Sequence, residues 1–227
     1  MCKTTSLKQT FGLAGLAAFL LLSPGPAPGE TGNNVAATAI EERSTVTLGW
    51  LDPDQRLQSG FDTMAQEVNF IFGQIGVEVE WKLGDGRTID RKPGEILVIL
   101  QPASPPGPIL SAGTMGAVSR QKGSRHIVFV FHQEIAEAIG VALHAPHRIT
   151  PLQRHELATA VGRVVAHEVI HAVAPAHPHG EDGIMQNRLS ELQLVRGKLE
   201  ISPRCLSAFV EGLLPETDAL TLVTTAR

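Results

Sequence analysis

Three ionisable residues in the second half of the chain, His167, Glu168 and His171, have the types and the spacing of a metal-dependent hydrolytic site. Residues four apart lie on the same face of a helix, so His167 and His171 can direct both imidazoles at one cation with Glu168 beside them. Neutral imidazole is a common zinc ligand, and a neighbouring carboxylate can act as a general base. The segment therefore predicts one zinc ion held by a helix, with Glu168 as the base.

A catalytic zinc site uses three protein ligands, so two histidines are not sufficient. The residues after the motif that can supply the third ligand are His177, His179, Glu181, Asp182 and Glu191. His177 is favoured because it follows Pro175, which ends the helix and can turn the chain back toward the metal. Glu191 is the alternative, at a spacing similar to that of the thermolysin-like gluzincins.

The spacing continues beyond the first two histidines, since His177 follows six residues after His171 and Met185 follows eight residues after His177. This pattern resembles the metzincin metalloproteases, in which a Met in a tight turn lies beneath the zinc, and the Met spacing is similar to that of the matrixin branch. The resemblance implies His167, His171 and His177 as zinc ligands, Glu168 as general base and Met185 as the Met-turn residue.

The chain departs from the metzincin pattern at Ala174, where the family usually has Gly. That position often needs positive φ, which costs a residue other than Gly about 1 kcal/mol or more. Pro175 offers another way to end the helix. The sequence also contains no Tyr, which argues against the astacin and serralysin branches.

The helix that carries the motif should begin at Thr150. This residue is a suitable N-cap, Pro151 fits the first helical position, and Gln153 can close a capping box. The helix should run to about Val173 and be buried on nearly every face. It would then carry the polar cluster into the interior.

Hydrophobic periodicity predicts the other elements. Strands are expected at 45–51, 77–81, 96–100, 114–120 and 126–131, and helices at 61–75 with a Ser59 cap, at 133–143, and from a Ser202 cap to about 214. This order matches the metzincin scaffold. The resemblance implies an α+β fold with a twisted, five-stranded, mostly parallel sheet, one antiparallel edge strand, an upper subdomain at 44–174 and a smaller lower subdomain at 175–227 with a helix.

Peptide-bond hydrolysis is the activity that the resemblance implies, with a peptide or protein as substrate. The expected edge strand could pair with an extended substrate through Thr114, Gly116, Ala117 and Val118. An endopeptidase is favoured over an exopeptidase. A non-catalytic, zinc-stabilised binding domain is the alternative.

Composition supports one globular domain, with 43% hydrophobic residues and a mean hydropathy of +0.06 over 227 residues. The net charge of -4 and the lack of a Lys/Arg cluster give no basis for a nucleic-acid partner. Lys3, Lys8 and the apolar run Phe11–Leu22 predict a signal peptide at 1–29, with cleavage between 23 and 39 and a linker at 30–43. We expect a secreted or periplasmic protein without stable membrane insertion, and an N-terminal membrane anchor is the alternative. After cleavage of the signal peptide, the mature chain would have Cys205 as its only cysteine.

Overall fold

The computed structural model describes residues 44–85, 88–90, 92–106, 110–111, 113–121 and 125–213. The predicted signal peptide (1–29) and linker (30–43) lie outside these residues, as does the end of the predicted lower subdomain. Among the helices that the described residues form, none combines the length and the apolar character that crossing a membrane requires.

Five strands of the described chain form one mixed sheet. They are β1 (Thr45–Leu51), β2 (Glu78–Leu83), β3 (Ile96–Gln101), β4 (Gly116–Gln121) and β5 (Arg125–Phe131). Their order in the sheet is β2-β1-β3-β5-β4, with β4 antiparallel to β5 at one edge and all other pairs parallel. The predicted fold class is therefore confirmed, including the antiparallel edge strand.

The described residues also form five α-helices beside the sheet. They are α1 (Phe61–Gly73), α2 (His132–Ala138), α3 (Pro151–Val173), α4 (Glu191–Val195) and α5 (Pro203–Leu213). Helices α1 and α3 pack against each other, α1 also against β2 and α3 also against β3, β4 and β5. The long helix that carries the motif is thus central to the packing.

Helix α3 forms as the sequence predicts. The Thr150 hydroxyl accepts a hydrogen bond from the backbone N–H of Gln153, and the Gln153 side chain accepts one from the Thr150 N–H, so the capping box is complete. From Leu157 to Ala172 nearly every residue is buried. The α1–α3 crossing is close at Gly162, where a Cβ would lie 2.8 Å from the Met64 carbonyl oxygen.

Some helix boundaries differ from the sequence predictions. The N-cap of α1 is Gly60 and not Ser59, because a 3-10 turn leads directly into the helix without a side-chain cap. Helix α2 ends at Ala138, short of the predicted Leu143. The chain adopts a left-handed conformation at Gly140 (φ +68°), which is incompatible with continuing the helix.

The short helix α4 was not predicted, although its signal is present in the sequence. Ser190 caps the helix and Gln193 completes a capping box. The last helix, α5, does begin as predicted, because the Ser202 hydroxyl accepts a hydrogen bond from the Cys205 N–H. Cys205 is fully buried, and burial raises the pKa of its thiol to about 11, which is the environment of a packing residue and not of a nucleophile.

Arg163 joins three parts of the fold through one buried guanidinium. Its Nε donates to the Glu67 carboxylate of α1 at 2.7 Å, and its terminal nitrogens donate to the carbonyl oxygens of Gln193, Arg196 and Gly197 at 2.6 to 2.8 Å. The Arg163 side chain is 6% exposed. A buried cation fully supplied with acceptors is stabilising relative to any variant that leaves those acceptors unpaired.

Replacing Arg163 with Met should lower the free energy of unfolding by about 3 to 5 kcal/mol, because one carboxylate and three carbonyl oxygens lose their donor in a buried setting. Urea denaturation measures the change. Arg148→Met is the matched control, since Arg148 is exposed. The double variant Glu67→Met/Arg163→Met should be less destabilised than the sum of the single variants. A loss below about 1 kcal/mol for Arg163→Met would contradict the linking role.

Candidate metal centre

Three histidines lie together at the C-terminal half of α3 and in the segment after it. Ligand nitrogens of His167, His171 and His179 all lie within 4.8 Å of one another. The Nε2 atoms of His171 and His179 are 3.0 Å apart. The rings of His167 and His171 have centroids 4.8 Å apart, as expected for two residues on one helix face.

This arrangement fits zinc. Nitrogen ligands bind zinc at about 2.0 to 2.1 Å, which places two tetrahedral ligand atoms roughly 3.4 Å apart, close to the 3.0 Å between His171 and His179. The donor set, three imidazoles, is one that catalytic zinc sites use. The ligand nitrogen of His167 lies within 4.8 Å of the other two.

The ring of His167 is oriented by a backbone contact from the segment beyond the helix. Its Nδ1 donates to the Ile184 carbonyl oxygen at 2.7 Å, because a carbonyl can only accept. This bond fixes the tautomer and leaves the Nε2 lone pair available for a metal. The same arrangement, a ligand imidazole donating its other N–H to a fixed acceptor, is usual around protein metals.

The two motif histidines are held in the neutral form that metal binding requires. Burial lowers the pKa of His171 to about 4, with the nearby His167 and His179 adding to the effect. Burial also lowers the pKa of His167, against the opposing effect of its bond to Ile184. Both shifts favour the neutral imidazole, in which one ring nitrogen keeps its N–H and the other has a lone pair for a metal.

The third imidazole beside the motif is that of His179, whereas the sequence favoured His177. His177 is half-buried near Arg204, and its backbone N–H donates to the Ala174 carbonyl oxygen. The physical reason is the turn that follows the helix, since Ala174 has a φ of -117° and the His177 N–H closes a turn on the Ala174 oxygen. This turn places His177 near Arg204, and the ring of His179 packs against the rings of His167 and His171.

The remaining third-ligand candidates do not join the cluster. Glu181 and Asp182 are exposed in the loop that follows His179. Glu191, the gluzincin-like alternative, is the exposed first residue of α4. None of these carboxylates belongs to the group of close ligand atoms formed by the described residues.

Met185 lies in a tight turn and is only 3% exposed. Gly183 has positive φ (+66°), and a Cβ there would collide with the Glu200 carbonyl oxygen, so the turn requires glycine. The Ile184 N–H donates to the same Glu200 oxygen, and the Gly180 N–H donates to the Met185 oxygen. The role of Met185 beneath a metal stays a prediction.

Glu168 is buried between α3 and the edge strand. Its side chain is in contact with Gly116, where a Cβ would lie 2.6 Å from the Glu168 Cγ. The Glu168 residue is 8% exposed, and burial raises the pKa of its carboxyl from 4.5 to about 7. A carboxyl with this pKa can both accept and release a proton near neutral pH.

Arg120 supports the C-terminal end of α3 from the edge strand β4. Its guanidinium donates to the carbonyl oxygens of His171 and Pro175, each at 3.4 Å. A cation at this end also complements the helix dipole. The edge strand therefore contacts the helix at two points, through Gly116 and through Arg120.

The cluster lies in an open cleft of about 510 Å³. Val164 and the motif form its floor, residues 111 and 113–116 form one wall, and Gln186 to Leu189 form the other. Of the four residues predicted to contact substrate, Thr114 and Gly116 line the cleft, while Ala117 and Val118 continue along β4 opposite Phe129 and Val128. The second wall was not predicted, although it directly follows the predicted Met-turn.

Neither protein-family models nor curated proteins match this sequence. Among solved structures, the chain is similar to archaemetzincin from Methanopyrus kandleri, with 17% identity and a TM-score of 0.46 over 75% of this chain and 96% of that chain. Metalloproteinase-II from Bacteroides fragilis has 11% identity and a TM-score of 0.45 over 77% of this chain and 54% of that chain. The GM1-bound ECX AB5 holotoxin has 10% identity and a TM-score of 0.29, over 70% and 72% of the two chains. Similarity at this level does not establish a family.

The buried carboxyl predicts a pH-dependent stability of the metal-free protein. Since the folded-state pKa of Glu168 is about 7, above the value of 4.5 for a free carboxyl, ionisation costs stability as the pH rises through this window. Glu168→Gln should therefore stabilise the metal-free protein at pH 8 by about 1 to 3 kcal/mol, with little difference at pH 4.5. Urea denaturation of chelator-treated protein measures both values.

The matched control is Glu78→Gln, on the exposed face of β2. It should leave the stability unchanged at both pH values. Equal stability of wild type and Glu168→Gln at pH 8 would show that the carboxyl is not desolvated.

Proposed function

We propose that the protein is an exported zinc-dependent endopeptidase of metzincin type, in which His167, His171 and His179 bind zinc and Glu168 is the general base. The observation that carries the proposal is the convergence of three imidazoles beside a buried carboxylate at the floor of an open cleft. Export is supported by the N-terminal signal sequence.

The metal ligands and Glu168 would have different roles in peptide hydrolysis. Zinc, when bound, supplies a Lewis acid that acidifies water and polarises a carbonyl group. A Glu168 carboxylate oxygen accepts the proton of the attacking water and then donates it to the nitrogen of the leaving amine. In the metal-free protein, burial raises the pKa of this carboxyl to about 7, which makes its carboxylate a stronger base than an exposed one.

The substrate would lie along the edge strand. Among the strands of the described residues, none lies beyond the outer edge of β4, and an extended peptide can bind such an edge through backbone hydrogen bonds. Gly116, at the start of this edge, is in contact with Glu168. A peptide paired with Thr114, Gly116 and the following residues would therefore pass directly over the general base.

Met185 is proposed to support the metal centre through the turn that it occupies. In this turn, the Ile184 carbonyl oxygen accepts a hydrogen bond from His167, and the next residue, Met185, is buried. A buried apolar side chain at this point keeps the turn docked on the core. The turn thereby orients a zinc ligand.

The ligand set is tested by metal content. We expect wild type to bind about one zinc per chain, and His179→Ala to bind zinc at least 100-fold more weakly, because a catalytic site with two protein ligands is incomplete. His177→Ala should retain zinc, as should Glu191→Ala and the exposed control His155→Ala. Equilibrium dialysis with a competing chelator measures the affinities. Loss of zinc in His177→Ala with retention in His179→Ala would overturn this ligand set.

The activity is tested by Glu168→Gln. This variant should keep its zinc and lose peptidase activity by a factor of about 100 or more, because the proton acceptor is gone while the ligands remain. Cleavage of an internally quenched peptide library measures the activity. A zinc-loaded wild type that cleaves no member of the library, yet retains a peptide, would favour a non-catalytic binding domain. A fully active Glu168→Gln protein would exclude the proposed mechanism.

A further inference from the structure

The wall of the cleft that faces the edge strand carries an isolated positive charge. Residues 186–189 form this wall. Apart from the three histidines and Glu168, Arg188 is the only ionisable residue among the described residues that line the cleft. A substrate therefore meets a positive charge on this wall.

The backbone that presents Arg188 is held on both sides. Before it, the Gln186 side chain accepts a hydrogen bond from the Gln193 amide at 3.0 Å. After it, Leu189 is 6% exposed and Ser190 caps α4 through the Gln193 backbone N–H. A side chain on a segment fixed at both ends is presented in a defined direction, which recognition requires.

The guanidinium of Arg188 has no hydrogen-bond acceptor or ion-pair partner among the residues that the structure describes, and the residue is exposed. Arg163 and Arg120, by contrast, both donate to protein oxygens. The planar guanidinium can bind a carboxylate with two parallel hydrogen bonds. The amides of Gln186 and Asn187 beside it carry no negative charge that could compete.

The geometry points to Arg188 as the residue that selects a carboxylate on the substrate, on the side of the cleft opposite β4. This inference rests on the proposed peptidase function. The carboxylate belongs either to an Asp or Glu side chain near the cleaved bond or to the C-terminus of a short peptide. The two sources have the same chemistry and differ in whether the chain continues beyond the cleft.

Kinetics on paired peptides test the inference. In the first set of pairs, both peptides have an amidated C-terminus and differ at one position near the cleaved bond, with Asp in one and Asn in the other, or Glu and Gln. In the second set, the two peptides have the same sequence and differ only in having a free or an amidated C-terminus. Wild type should prefer the carboxylate by about tenfold in kcat/KM, mainly through KM, as expected for a charge-assisted contact at an exposed site. Dependence on the internal residue identifies a side chain, and dependence on the free end identifies the terminus.

Variants of Arg188 test whether its positive charge causes the preference for a carboxylate. Arg188→Gln should abolish the preference, Arg188→Lys should retain part of it, and Arg188→Glu should reverse it in favour of peptides with Lys at the same position. Arg148→Gln, which removes an exposed Arg outside the cleft, should match wild type. Equal carboxylate-to-amide ratios in wild type and Arg188→Gln would refute the inference while leaving the proposed activity intact.

A binding measurement decides the inference even if no peptide is cleaved. Fluorescence anisotropy with zinc-loaded Glu168→Gln should show the carboxylate preference, and Glu168→Gln/Arg188→Gln should lack it. Equal affinity of the first variant for both members of each pair overturns the role of Arg188. Absence of cleavage by wild type, with the binding preference present, overturns only the proposed catalysis.

Discussion

The central constraint on this fold is that one helix must be buried on nearly every side and still present polar groups to solvent. Helix α3 buries almost all residues from Leu157 to Ala172. Burial over this length favours folding because it removes apolar area from water, but it also desolvates the ionisable groups within that stretch. The neutral state of His171 and the raised pKa of Glu168 are both direct results. The chemical properties of the candidate site thus follow from the position of its helix.

The surroundings of α3 limit the cost of this burial. Arg163, the most deeply placed cation, has an acceptor for each donating nitrogen. His167 donates to the Ile184 oxygen, and the last turn of the helix is supported by Arg120. Each of these contacts comes from a different segment, namely the region around α4, the turn at Met185 and the edge strand β4. Polar groups on one helix therefore order three segments that are distant in sequence.

Much of the fold could be predicted because local signals agree with the tertiary environment. The capping box at Thr150 predicts the start of a helix, and the apolar runs of β3 and β5 predict buried strands. The structure confirms these predictions. The boundary of α2 could not be placed as well, because an apolar helical pattern continues past Gly140 where the backbone becomes left-handed. Helix α4 was missed despite the Ser190 and Gln193 capping box, since five residues are too few for a periodic pattern.

Within the site, the helical residues could be predicted and the third imidazole could not. The spacing of His167 and His171 places them on one face of any helix, with Glu168 beside them. Beyond Val173, position depends on backbone angles at Ala174 and on the path through two prolines, and sequence spacing does not determine these. His177 was favoured for its spacing of six residues after His171 and for its position after Pro175, and neither determines where the side chain lies. The second wall of the cleft was missed for a related reason, because its residues become neighbours of the motif only after the turn at Gly183 is made.

The four hydrogen bonds of Arg163 also affect how the protein unfolds. The guanidinium connects α1, α3 and the loop after α4, so the sheet-bearing part and the C-terminal part cannot separate without breaking these hydrogen bonds. The His167 bond to Ile184 spans the same boundary a turn further along α3. Partial opening at this boundary is therefore costly, and the described chain from β1 to α5 should behave as a single cooperative unit in hydrogen exchange.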